Sequence, residues 1–162
     1  MKTINPKHIE ALIPLINKSP YFLLLSMMVT DIGYGYCKME MQLDKQKHNN
    51  PFGGLHGGVY ASAIDSAAYW AVYCSIDENS GLISLDLHID NLATTSCNKV
   101  FVEGKLRRSG RTVCFSEATV TDSDGKLLAY GTSKQLVTNN LQTLNQAILS
   151  MGNKALPSKY SD

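Results

Sequence analysis

The 162-residue chain lacks a dominant charge: 15 Lys and Arg stand against 14 Asp and Glu, a formal net charge of +1 at pH 7. That removes the broad electrostatic case for nucleic acid or an anionic membrane as partner. It also lacks metal-spaced cysteines. Cys37, Cys74, Cys97 and Cys114 are scattered, with no ligand spacing between them, so free thiols in a reducing cytoplasm are expected. The opening segment, MKTINPKHIEALIP, is too polar for a secretory signal. No uninterrupted apolar run is long enough for a membrane span. The longest apolar stretch, Gly53 to Cys74, is broken by His56, Asp65 and four glycines. Internal repeats and low-complexity linkers are absent too. What remains is a single domain of 44% hydrophobic and 18% charged residues, long enough to bury its own core.

What is present is concentrated between Asn50 and Cys74, in NPFGGLHGGVYASAIDSAAYWAVYC. A glycine-rich turn runs into a helix expected over about Gly57 to Ser75, with one carboxylate, Asp65, in its middle. Before it, Asn5-Pro6 reads as a helix start. Ile9, Leu12, Ile13 and Ile16 follow at helical spacing, in a helix that Pro14 should shorten or break. Tyr21 to Ile32 and Tyr34 to Leu43 read as strands, and Asp44 to Asn50 as a polar connection.

After the central helix come four strand candidates: 82–92, 99–108, 112–122 and 126–138. In the first, Ile83, Leu85, Leu87 and Ile89 alternate with Ser84, Asp86, His88 and Asp90. Ser123-Asp124-Gly125 is a hairpin turn. One apolar helix followed by long meander strands predicts a helix wrapped by an antiparallel sheet. Residues 139–162 read as an extension with a short helix and a loose tail.

The central stretch carries the chemistry. A helix N-terminus offers unpaired N–H groups and partial positive charge, and glycine lets a substrate approach them. His56-Gly57-Gly58 therefore suits a carbonyl oxygen that becomes an oxyanion. A capping role suits His56 better than that of general base. Asp65 lies roughly 12 Å further along the helix. One helix cannot bring both groups to one carbonyl, whereas two antiparallel copies across a dimer interface could. Taken alone, each residue also has a plain structural role: a turn, a core carboxylate, a strand serine.

The order of elements, H-G-G-x6-D on an apolar helix, then Arg108-Ser109-Gly110-Arg111, Glu117-Ala118 and Asp124-Gly125-Lys126-Leu127 resembles the hotdog-fold acyl-CoA thioesterases. The likeness is greatest to the branch with the phenylacetate-pathway and small mammalian hotdog enzymes, and it covers about residues 20–138. It implies an α+β hotdog fold, with a five- to six-stranded antiparallel sheet around a central helix. It further implies a homodimer or homotetramer, an acyl-CoA or related thioester substrate, and no metal or cofactor.

Carried over by position, Gly57 would polarise the carbonyl through its N–H, helped by Asn50. His56 would shape the turn. Asp65 would act as general base or nucleophile, with Ser84 orienting water. Gly58, Arg108, Gly110 and Arg111 would meet the substrate, the arginines near the CoA phosphates. Tyr60, Tyr69, Trp70 and Tyr73 could line an acyl pocket. The chain departs from the family pattern at Asn91-Leu92-Ala93-Thr94, where an aromatic, a basic residue and Pro are common. Two alternatives stay open: an acyl-CoA-binding protein without turnover, and an enoyl-CoA hydratase or dehydratase.

Overall fold

The central helix is lined with small residues, and the strands beneath it are too. In the computed structural model, which describes residues 3–161, the chain begins with β1 (Thr3–Ile4), α1 (Pro6–Asn17), α2 (Pro20–Leu24), β2 (Met27–Gly33), β3 (Tyr36–Gln42) and α3 (Lys45–His48). Then follow α4 (Gly57–Tyr73), β4 (Gly81–Asn91), β5 (Lys99–Arg108), β6 (Val113–Asp122), β7 (Leu127–Thr138), α5 (Leu144–Ser150) and β8 (Tyr160–Ser161). Strands β2 to β7 form one antiparallel sheet in the order β2-β3-β5-β6-β7-β4, and β1 pairs with β8. Helix α4 packs against all six strands of the larger sheet. This is the hotdog architecture expected from the sequence.

Close packing of α4 has a specific cause. Across the sheet, Cys37, Gly104, Ala118, Gly131 and Ile89 stand in register on neighbouring strands. The small residues of this row leave a trough, and α4 fills it with Ala63, Ala67, Ala68 and Ala71, all buried. A Cβ on Gly104 would stand 2.1 Å from the Ala67 carbonyl oxygen, and one on Gly131 2.8 Å from the Ile64 side chain. Backbone on the facing side cannot swing away. Gly104→Ala is therefore expected to destabilise the fold by about 1–3 kcal/mol. A urea unfolding curve at fixed protein concentration checks this; an unchanged midpoint would show that helix and sheet can separate freely.

Several local expectations are corrected. Tyr21 to Ile32 is not one strand, because Pro20 opens the short helix α2 and the strand begins only at Met27. Between them Ser26 takes a positive φ of 55°, which turns the chain. Pro14 does not break α1. It lies on the exposed face, where water can satisfy the Glu10 carbonyl that loses its N–H partner. Within Asp44–Asn50, α3 forms one turn, capped by the Asp44 side chain accepting from the Gln46 N–H at 2.9 Å.

The terminal segment is docked rather than loose. The Lys159 ammonium is buried and donates to the Tyr73 and Ile76 carbonyls, both at 3.1 Å, beyond the end of α4. His8 bridges the same region, with Nδ1 2.7 Å from the Pro157 carbonyl and Nε2 3.1 Å from the Tyr73 hydroxyl. Polarity alone suggested a tail; a buried cation satisfied by helix-end carbonyls is invisible to composition.

Candidate active site

Helix α4 starts at a capped turn. His56 is the N-cap, and its Nδ1 accepts from the Gly58 N–H at 2.9 Å. The Val59 N–H reaches the His56 carbonyl at 2.9 Å. Gly57, at the first helical position, is left with an N–H that meets no acceptor among the described residues. Gly57 lines a cavity of about 270 Å³, together with Leu55, Tyr60, Asn91, Leu92 and Ala93. A free, dipole-aligned donor facing a cavity with apolar walls is the geometry that holds a carbonyl oxygen. Gly58, expected to meet substrate, instead spends its N–H on His56.

Asn50 sits in the turn itself. Its Oδ1 accepts from the Phe52 N–H at 2.9 Å and the Gly54 N–H at 3.3 Å. It holds the glycine loop in shape and is not among the residues lining the Gly57 cavity.

Asp65 lies two turns along α4. Buried positions of the helix, such as Ala63, Ile64, Ala67 and Ala68, face the sheet. Ser62, Asp65, Ser66 and Tyr69 form the half-buried stripe beside them. The Ser84 hydroxyl donates to Asp65 Oδ1 at 3.0 Å, so the two residues expected to handle water are joined. Tyr69 lies close by, donating to the Leu82 carbonyl at 3.2 Å. Burial first, and the Asp65 charge second, hold its phenol above the usual range, so it stays a neutral donor.

Ser84 reaches Asp65 because β4 is bulged there. The pairing of β4 with β7 slips between Ser84 and Asp86. Ser84 then faces the helix while Ile83 and Leu85 are exposed; past the bulge Ile89 packs into the core. Strict alternation along 83–90 therefore does not hold. A buried network secures the bulge: the Ser133 hydroxyl donates to the Asp86 carbonyl at 2.8 Å and accepts from Gln135 Nε2 at 2.8 Å. Ser116 donates to Gln135 Oε1 at 3.1 Å. Ser133 and Gln135 went unnoticed in the sequence. Their one signal was polar residues at sheet positions whose neighbours, Ala129 and Gly131, are core.

The arginine turn stands elsewhere. Arg107 is engaged by Glu117 on the sheet surface, and that hydrogen bond is the main cause of the lowered Glu117 pKa. Arg108 and Arg111 are exposed with no partner among the described residues. Gly110 and Arg111 line a cavity of about 490 Å³ with Ser75 and Asp77, just beyond the C-terminal end of α4. Within one chain the arginines and the Gly57 donor thus lie at opposite ends of the helix. Tyr60 lines the Gly57 cavity, whereas Tyr73 is a core residue in the His8 contact. One cluster of metal-type donors occurs among the described residues, Cys97, Asp122 and Asp124, within 4.8 Å of one another. Asp122 already accepts from Thr95 and from the turn amides of Asp124 and Lys126, and none of the catalytic candidates belongs to it.

Fold and site together place the chain in a class, hotdog proteins whose central helix starts at a glycine-rich turn and carries a carboxylate two turns along. The sequence profile of the Thioesterase superfamily matches residues 52–129. A candidate esterase from Saccharolobus solfataricus is 30% identical over 106 residues, covering 65% of this chain and 74% of that protein. The chain belongs to the thioesterase superfamily. Acyl-coenzyme A thioesterase 13 of Mus musculus is 29% identical over 97 residues, 59% of this chain; the match spans 66% of the relative's own length. The crystal structure of a thioesterase from Haemophilus influenzae superposes with a TM-score of 0.76 at 22% identity, covering 88% of this chain and 98% of that one.

Proposed function

We propose that the protein hydrolyses acyl-CoA thioesters in a site shared by two subunits. The observation that carries this reading is the hydrogen bond from Ser84 on β4 to Asp65, which sits on the helix that also begins with the free Gly57 N–H. The thioester carbonyl accepts from Gly57, which draws charge onto its oxygen. Ser84 and Asp65 hold a water. Asp65 takes a proton as the water oxygen bonds to the carbonyl carbon. The tetrahedral oxyanion collapses, the C–S bond breaks, and Asp65 returns the proton to the departing thiolate. A carboxylic acid and CoA thiol result. The name of the mouse relative, an acyl-coenzyme A thioesterase, supports the substrate class, and the exposed Arg108 and Arg111 would meet phosphates at the surface.

Two subunits are invoked because of the sheet edges. Edge strand β2 is covered: the Asn17 side chain donates to the Val29 carbonyl at 3.0 Å and accepts its N–H at 2.7 Å. The opposite edge, β4, runs 11 residues and presents Ile83, Leu85 and Leu87 to solvent. A long apolar edge is a pairing surface. Antiparallel pairing of two β4 strands would lay two α4 helices side by side in opposite directions, so that Gly57 of one meets Asp65 of the other. The arginine turn of one subunit would then approach the Gly57 end of its partner. A tetramer would pair two such dimers.

The test is thiol release from short, long and aromatic acyl-CoA substrates. Release from at least one chain class is expected. Saturable binding with no thiol released would support the acyl-CoA-binding reading, and water addition to an enoyl-CoA without thiol release would support the hydratase reading.

A further inference from the structure

The carbonyl site needs a second donor, and the residue expected to supply it does not line the cavity. Asn50 Oδ1 is fixed by two amides of its own turn, and Asn50 does not line the cavity at Gly57. Asn91 does line it. Its Nδ2 lies 2.9 Å from where a Cβ on Gly57 would stand, which puts the side-chain amide against the backbone whose N–H is free. That amide makes no hydrogen bond among the described residues. We propose that Asn91, rather than Asn50, is the second hydrogen-bond donor to the thioester carbonyl, beside the Gly57 N–H. This rests on the thioester reading above.

Three further observations fit the role. Asn91 is the last residue of β4, in register with Ala129, so its backbone is held by the sheet. The chain just beyond is pinned as well. Leu92 and Ala93 both donate to the Leu128 carbonyl, at 2.9 and 3.0 Å, and the Tyr60 hydroxyl donates to the Ala93 carbonyl at 3.1 Å. A donor held by a rigid frame needs little reorganisation as the oxyanion forms, which is where such donors gain their effect. Asn91 also stands where the resemblance led us to expect an aromatic residue. A phenyl ring there could pack but not donate; a carboxamide can donate. No bond to Asn91 forms or breaks, and its two N–H groups only follow the charge on oxygen.

The experiment uses the full chain, wild type and the variants Asn91→Ala, Asn91→Asp and Asn50→Ala, with acyl-CoA substrates of three chain classes. Loss of one oxyanion donor costs roughly 100- to 1,000-fold at a buried site; for exposed Asn91 we expect about 10- to 100-fold in kcat. The same factor should hold for every acyl chain, with KM little changed. Asn91→Asp keeps the shape, loses the donor and should fall at least as far. Because the amide has no partner in the fold, melting temperatures should match the wild type. Unchanged kcat in both Asn91 variants overturns the proposal. So does a loss confined to one acyl chain, since that would make Asn91 a reader of the acyl group.

A second readout needs no turnover. The C=O stretch of a ¹³C-labelled thioester bound to the protein should shift to lower frequency, and the shift should shrink in Asn91→Ala but persist in Asn50→Ala. Equal shifts in wild type and Asn91→Ala overturn the proposal. This measurement separates the two claims: absence of hydrolysis by the wild type would remove the enzymatic reading, while the frequency shift would still decide the role of Asn91.

Discussion

Asp65→Asn is expected to lower thioester turnover about 100- to 10,000-fold while leaving the fold intact. The substitution is nearly isosteric. Asp65 lies on the half-buried stripe of α4, and the hydrogen bond it accepts comes from Ser84. An Asn side-chain oxygen can accept that same bond, so the Ser84 hydroxyl keeps its place. What disappears is basicity: an amide oxygen takes no proton from water at neutral pH. The water can still be held and the carbonyl still polarised, so binding should survive and KM should move little. Steady-state thiol release, with melting temperature as control, checks the expectation. Turnover near the wild-type level in Asp65→Asn would remove Asp65 from the base role and send the search to Ser84 and its surroundings.

That Asp65 could be singled out at all reflects where sequence signals are strong. A carboxylate amid Ala, Ile and Val on a long apolar helix stands out, and the helix periodicity fixes its distance from Gly57. The meander was legible for the same reason, since β-branched alternation and the Asp-Gly turn at Asp124-Gly125 are local. The wrapped helix could be guessed from one apolar helix beside long strands. The trough that admits it rests on Gly104, Ala118 and Gly131 falling in register on different strands, and register is a long-range property.

The site's finer parts failed to show for related reasons. The bulge at Ser84–Asp86 is set by pairing with β7 and by the Ser133–Gln135 network, so no pattern within β4 reveals it. Asn91 was marked as a departure from a family pattern, but only the fold carries it to Gly57, 34 residues earlier in the chain. Asn50 was legible as a polar residue at a glycine turn. Whether its oxygen would be spent on that turn depends on backbone angles that composition does not fix. The open edge of β4, by contrast, was half visible. The alternation set Ile83 and Leu85 apart from Ser84, and the structure keeps them on the outer face; that β4 ends the sheet is set by pairing.

Because that edge is what would join two half-sites, mixing two inactive variants should restore activity. Asp65→Asn removes the base. Gly57→Pro removes the N–H at the first helical position, where Pro is best tolerated; His56, at φ −69° and ψ 134°, already has the conformation that a following Pro requires. The nearest obstacle to a Cβ there is the end of the Asn91 side chain, which can move. Each variant alone is expected to be nearly inactive. In a shared site, a heterodimer pairs the intact Gly57 of one subunit with the intact Asp65 of the other, and its second site carries both losses. Random reassortment makes half the dimers heterodimers. Each regains one site of two, so about a quarter of wild-type activity should return. The measurement is thiol release after the two variants are unfolded together and refolded, beside each refolded alone. If both groups act within one subunit, no heterodimer gains a complete site and the mixture stays as inactive as its parts.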